Sequence, residues 1–368
     1  MVTLLSTVEV EKESTPPSSF NGWRLDIKPN VKIEHFDLYH SFVSYYRLWP
    51  KRVFAWKRQM EDLIKKHDVV ILKLPSPATP LVTRCIRRLG KPLVTIVRGN
   101  IQFASDRLVE NRGLKSLIFK FLIRLIMRQE KWCSQNSKLV YVYSKELLKR
   151  FQTTNKNIKF MCTPHVSLSD FHIRDDTCQS EEIRLLRICR IVPIKGWECL
   201  FEAFAFLLEQ KHKIRLEIVG QPDAPEYLNK LKGIIKTLGI ADQVSFTGWV
   251  PYNRTQETYI RNDIQIISSI NEGLPRSIIE GASRGLPLVS TTAGGCGDIL
   301  THEKNALLVP PGDSRELASA IERVIQEGVL RRKLIKEGYE LARASTFEHL
   351  GKQFLDDVSG VAATDSDS

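Results

Sequence analysis

The stretch that decides the fold runs from Asp263 to Gly295: DIQIISSINEGLPRSIIEGASRGLPLVSTTAGG. It opens on a short β-branched run that reads as a buried strand ending at Ser268–Ser269. A loop carrying Glu272 and Gly273 follows, and a helix begins near Pro275, where a missing N–H costs nothing. Gly285 stands where a left-handed helix cap is expected, and PLVSTT reads as the next strand. This rhythm predicts a parallel sheet, in which ligands bind outside the carboxyl ends of the strands. Free N–H groups at the helix start favour an anion there. Glu272 in the loop and Glu280 one to two turns inside the helix then offer two carboxylates to separate hydroxyls of an elongated polyhydroxyl ligand. Two glutamates at this spacing, taken alone, also read as solvated surface acids. The glycines and the strand–loop–helix setting favour a site.

The same rhythm extends outward. In the second half IRLLRICRIV, KIRLEIVG, QVSFTGWV and NALLVPP read as strands, and WECLFEAFAFLLEQ, PEYLNKLKGIIKTLG, SRELASAIERVIQ and LRRKLIKEGYELAR as helices. In the first half VTLLSTVEV, VKIEHF, DVVILKL, PLVTIVRG, KLVYVYS and KFMCTPHV read as strands, with helices around 48–67, 79–90 and 112–133 and at KELLKRF. HIRDDTCQSEEI, residues 172–183, is polar and without apolar period, which marks a linker. The predicted organisation is α/β, with two successive Rossmann-like doubly wound parallel-sheet domains joined by a polar hinge. The first spans 1–172 and the second 184–345, with a linker at 173–183, a closing helix at 346–360 and a disordered tail at 361–368. The DSD of that tail looks like a metal-binding acidic motif by accident of composition.

Bulk properties agree. The length of 368 residues suits two domains, and 42% hydrophobic with 26% charged residues suggests neither a disordered nor a membrane-spanning chain. No run approaches the roughly 18 apolar residues of a spanning helix, and MVTLLSTVEVEKE lacks the basic start of a signal peptide. The seven cysteines are scattered and never spaced CxxC, which predicts neither a zinc site nor a disulfide framework but a reducing, cytoplasmic setting. A net charge of +12 draws anionic partners. In RGLKSLIFKFLIRLIMRQEKW, Lys120, Arg124 and Arg128 form a narrow basic stripe on an otherwise apolar helix. This predicts either peripheral contact with anionic lipid or a core helix whose stripe faces water, and the breadth of the apolar face favours burial. No aromatic-rich basic face suggests nucleic acid.

The Asp263–Gly295 segment resembles the Glu-x7-Glu signature of glycosyltransferase family 4, retaining enzymes of the GT-B fold. RICRIVPIKG resembles the family's strand–loop carrying an Arg and a Lys, here Arg190 and Lys195, with Cys189 where a Gly is common. LEIVGQ, VSFTGWVP and NALLVPPGDSRELASAI match successive blocks. The resemblance implies transfer of a sugar from a nucleotide-sugar donor to a saccharide or lipid-linked acceptor, in polysaccharide or cell-envelope glycan synthesis, with no metal or other cofactor. It implies that Arg190 and Lys195 hold the donor diphosphate, a task that suits a guanidinium fork and an ammonium. Glu280 would accept hydrogen bonds from the ribose. Glu272 would contact the donor sugar beside the backbone of Gly273 and Leu274. Gly220 and the Thr247–Gly248 turn would border the nucleobase. By themselves these cations and glycines read as surface charges and ordinary strand ends.

The first half matches less closely. KLVYVYSKEL and PHVSLSDF resemble blocks that end the family's N-terminal domain. PLVTIVRGN resembles a strand that commonly ends in His-Gly, and Arg98 stands at the His position. Arg98 then positions the reacting sugar in its own way, binds a phosphate or carboxylate, or is a surface residue. The chain starts almost at the family's second strand, so the opening strand and Gly-rich loop are expected to be missing or replaced by STPPSSFNG. Retention is implied by the resemblance alone. With no nucleophile in evidence, a front-face route through an oxocarbenium-like state fits, fixed cations stabilising the leaving diphosphate. A GT-B epimerase or phosphorylase and an inactive partner subunit are the competing readings.

Overall fold

The computed structural model describes residues 2–7, 31–36, 42–76, 79–97, 114–163 and 165–366. Two compact units are formed, one by Met1–Val140 with Val361–Ser368 and one by Tyr141–Gly360.

In the first part of the chain, β1 (Val2–Thr7) and β2 (Val31–Phe36) pair in parallel. A second sheet has the order β3-β4-β5-β6, from Val70–Leu74, Leu93–Val97, Leu139–Val142 and Ile158–Phe160. Its β3 and β4 are parallel, and Val94, Val97, Val140 and Val142 are fully buried. The basic segment forms the helix Leu114–Asn136. Ile123 and Cys133 are buried, Arg124 and Arg128 exposed. Burial of the broad apolar face is incomplete, since Phe121 is 66% exposed. The side chain of Lys120, Arg98 and the STPPSSFNG loop lie outside the described residues.

The second part is one six-stranded sheet, all parallel, of β7 (Ile183–Ile188), β8 (Ile214–Val219), β9 (Val244–Gly248), β10 (Ile264–Ile267), β11 (Leu288–Thr291) and β12 (Leu307–Val309). The order is β12-β11-β10-β7-β8-β9. The chain runs outward from β7 to β9, returns to the other side of β7 and runs outward again. The order of travel therefore reverses between β7 and β10, the point at which open parallel sheets bind ligands outside the strands' carboxyl ends. β10 is buried along its whole length, with the one polar side chain in its run IQII, Gln265, donating to the Ser277 carbonyl.

Helix Trp197–Glu209 shows why the sheet is covered. Trp197, Leu200, Phe201, Phe204 and Leu207 recur at helical spacing, and all are fully buried. Each such side chain contributes about 2 kcal/mol by leaving water. Helix Ser314–Gln326 begins at Asp313, whose side chain accepts from Glu316 N–H at 3.0 Å, a cap worth about 1 kcal/mol. It buries Leu317, Ile321 and Val324 into the same core.

Residues 173–183 are polar but tied down. The Arg174 guanidinium donates to the carbonyls of Tyr259, Ile260, Asn262, Arg284 and Gly285. Asp176 accepts from Arg331 at 2.6 Å. The final helix runs Phe347–Ser366, past residue 361 where the small polar composition predicts a tail.

Candidate functional site

The site is built on the carboxyl ends of β7 and β10. After β7 the chain turns through Pro193–Lys195 and reaches Gly196 in the left-handed conformation, φ 68°. A Cβ on Gly196 would collide with the carbonyl oxygen of Ser268. Glycine thus lets the Lys195 turn lie directly against the end of β10, where Ser268 Oγ donates to the Lys195 carbonyl at 2.9 Å. That close approach brings Lys195 Nζ to 2.5 Å from Glu272 Oε1. The two side chains are only 14% and 9% exposed.

Glu272 is held from several sides. Ser269 Oγ donates to the same Oε1 at 2.9 Å. Behind it, one amine of the fully buried Arg187 donates to Ser269 Oγ at 2.7 Å. From the far side, Gly294 and Gly295 pack so closely that a Cβ on either would strike the carbonyl of Glu272 or Gly273, and Gly295 N–H donates to the Glu272 carbonyl at 3.3 Å. The loop therefore presents Glu272 at a fixed place, with Gly273 exposed and Leu274 half-buried beside it.

Glu280 lies on helix Arg276–Ser283, which starts after Pro275 and ends at the left-handed Gly285, φ 70°. The helix sits hard on β10: a Cβ on Gly281 would overlap the amide oxygen of buried Gln265, whose amide nitrogen donates to the Ser277 carbonyl at 2.9 Å. Tyr259 O–H donates to Glu280 Oε2 at 2.6 Å. Burial pushes the Glu280 carboxyl above its ordinary range, against the pull of the Tyr259 bond, Arg284 and Arg276. Burial likewise holds the Tyr259 phenol well above its usual value, so it stays a donor.

The remaining predicted residues flank this centre. Arg190 is 68% exposed and donates to Asp223 at 2.8 Å. Gly220 N–H donates to the Gly248 carbonyl at 2.8 Å, so the ends of the neighbouring strands β8 and β9 lie side by side. Thr247 Oγ1 donates to Glu217 at 2.7 Å, and Glu217 also takes Arg261 and Asn262. Lys195 and Glu272 are thus brought into direct contact, while Arg190 is engaged elsewhere and Glu280 has its own surroundings. Arg187, Ser269 and Tyr259 were not singled out from sequence. Arg187 had a signal: a charged residue inside the apolar run IRLLRI has to be buried or break the strand pattern. Tyr259 had none, since one aromatic in a short helix reads as core.

Among the described residues no group of three or more His, Cys, Asp or Glu is arranged to hold a metal ion. No described helix is long and apolar enough to cross a membrane.

Comparison with known proteins bears on this geometry. Residues 170–341 match the family model described as glycosyl transferases group 1. Mannosylfructose-phosphate synthase of Agrobacterium fabrum is 29% identical over 182 residues, 48% of this chain and 40% of that protein. Protein CapJ of Staphylococcus aureus is 26% identical over 301 residues, covering 78% of this chain and 73% of the relative. Among solved structures, Anabaena HepE in complex with UDP superposes with a TM-score of 0.68 at 18% identity, over 90% of this chain and 86% of that one. The chain thus spans less than half the length of the synthase it matches, and its matched family segment is the half that carries the site. The fold is α/β of the GT-B type, with a four-stranded and a six-stranded sheet among interleaved helices.

Proposed function

We propose that the chain is a retaining glycosyltransferase of family 4 type that takes its sugar from a nucleoside-diphosphate donor. The observation that carries this reading is the Lys195–Glu272 pair at the reversal point of the sheet, 2.5 Å apart and nearly buried. An ammonium there neutralises a diphosphate, and the adjoining carboxylate faces the sugar the diphosphate carries. The group 1 match over 170–341 and the UDP complex of HepE support the same donor class.

Lys195, with Arg190 at the rim, stabilises negative charge as the sugar–phosphate bond breaks, which is the largest lever available to a preorganised site. Glu272 stabilises positive charge at the reacting carbon. Glu280 holds the ribose through its carboxylate, and Gly220 with Thr247–Gly248 borders the base. The acceptor is a saccharide or lipid-linked glycan of polysaccharide or envelope synthesis, as the names of several relatives support. Exposed Phe121, Arg124 and Arg128 support a salt-sensitive contact with anionic lipid on the cytoplasmic face.

A thermal-shift panel of UDP- and GDP-sugars tests the donor reading, because a ligand of the folded state raises apparent stability. Stabilisation by one nucleotide sugar and its diphosphate is expected; no shift with any would remove the reading. Fixed cations take the place of a metal ion, so turnover is expected to survive EDTA. Activity abolished by EDTA and restored by manganese would contradict that.

A further inference from the structure

Arg187 is unused by the donor reading, and its surroundings are unusual. It lies inside β7 and is 1% exposed. One amine of its guanidinium donates to Ser269 Oγ at 2.7 Å and to the Lys195 carbonyl at 3.4 Å, and the other donates to the Ile266 carbonyl at 3.2 Å. The Trp197 ring lies 5.8 Å from its centre. Its Nε has no partner among the described residues. Every recorded acceptor is therefore a neutral oxygen, although guanidinium stays charged at any working pH. A buried cation in that state is costly unless an anion compensates it.

The anion within reach is one bond further on. Ser269 Oγ has a single proton, which it gives to Glu272 Oε1 at 2.9 Å, so its lone pair faces Arg187. The same Oε1 takes Lys195 Nζ. Two cations, Arg187 and Lys195, thus share one carboxylate, and the cluster carries a net charge of +1 in a water-poor setting. Fields act strongly there.

We propose that Arg187 is a positioning residue of the donor site: through Ser269 it orients Glu272, and its surplus charge beneath the Lys195 turn completes the counter-charge for a donor diphosphate. This rests on the nucleotide-sugar reading. It extends that reading by dividing the work, with Lys195 touching the phosphates and Arg187 acting from behind through the field and through Ser269.

The test compares Arg187→Met, which removes the charge and keeps an apolar stem, with Ser269→Ala, which keeps the charge and cuts the link. Titrations use UDP and GDP, with uridine and guanosine as phosphate-free controls. In R187M the diphosphate affinity falls about tenfold or more, while the nucleoside affinity stays within about twofold, because only the phosphates sense the lost charge. In S269A the diphosphate affinity stays within about threefold, but the turnover of the matching nucleotide sugar drops about tenfold, because Glu272 is no longer aligned. If R187M fails to fold by circular dichroism, Arg187→Gln takes its place with the same expectation. Equal losses for diphosphate and nucleoside would make Arg187 a scaffold residue and overturn the proposal, as would unchanged diphosphate affinity. A wild-type chain that binds neither UDP nor GDP would instead remove the donor reading itself.

Discussion

Glu272 and Glu280 belong to one strand–loop–helix unit, yet they are held in opposite ways. Glu272 sits in a charged pole: Lys195 is bonded to it directly, and Arg187 reaches it through Ser269. Glu280 sits in a less charged pole whose direct donor is a neutral phenol, with Arg284 bonded to its backbone carbonyl at 3.3 Å. Burial raises the Glu280 carboxyl. One carboxylate is therefore locked and compensated, and the other is available and electrostatically expensive. A group that must steady a transition-state charge benefits from being locked in advance. A group that must accept hydroxyls gains from having its acceptor capacity unspent.

The largest effect should come from breaking the compensated pair. Lys195→Met leaves Glu272 nearly buried without its directly bonded cation, and unfolding by denaturant should show a loss of about 3 kcal/mol. Adding Glu272→Gln removes the stranded charge and should restore most of that stability, although not diphosphate binding. Additive losses in the double variant would mean that the pair is not a unit, and the contrast between the two poles would weaken.

Steady-state kinetics sharpen the contrast next. Glu272→Gln should lower kcat with a smaller change in donor KM, costing about 2 kcal/mol in transition-state stabilisation. Glu280→Gln should raise donor KM and leave kcat less affected, because the ribose is bound equally in ground and transition states. Identical profiles would show that the two carboxylates share one role.

Much of this was legible in the sequence, for identifiable reasons. The strands of the six-stranded sheet are short, β-branched and punctuated by turn residues, and Gly196, Gly220 and Gly285 stand where the backbone takes positive φ. Glu272 and Glu280 fell on the expected loop and helix because Pro275 and Gly285 bracket that helix. Side-chain pairing was not legible. Nothing in RICRIVPIKG says that Lys195 turns to Glu272 while Arg190 turns to Asp223, since both partners lie far away in sequence. Nor does composition say that residues 173–183 are fixed; that depends on Arg174 finding carbonyls at the ends of two helices.

Arg190 gives a smaller expected effect than Lys195, and this separates a rim cation from a central one. It is 68% exposed and its Asp223 partner 47% exposed, so the pair contributes little to folding. Arg190→Ala should change unfolding free energy by less than about 0.5 kcal/mol and weaken diphosphate binding by about 1 kcal/mol, measurable by titration calorimetry. A loss matching that of the Lys195 variant would place Arg190 at the centre as well.

The smallest effect has the opposite sign. Because the folded-state value of Glu280 is raised above the ordinary 4.5, the fold prefers its protonated form. Ionised Glu280 therefore costs stability at neutral pH, and the cost fades as pH falls through the raised value. Below the unfolded value the group is protonated in both states and the cost is gone. Glu280→Gln keeps an acceptor for Tyr259 O–H but carries no charge to desolvate. It should unfold at a slightly higher temperature than wild type at neutral pH, and the gain should vanish towards acid pH. The same variant binds donor less well, so stability and affinity move in opposite directions at one residue. For Glu272→Gln no such gain is expected, since its charge is already compensated and its removal strands Lys195 and Arg187. A pH series of thermal melts on both variants decides the matter: stabilisation of the Glu272 variant, or a Glu280 gain that grows on acidification, would reverse the assignment of the two poles.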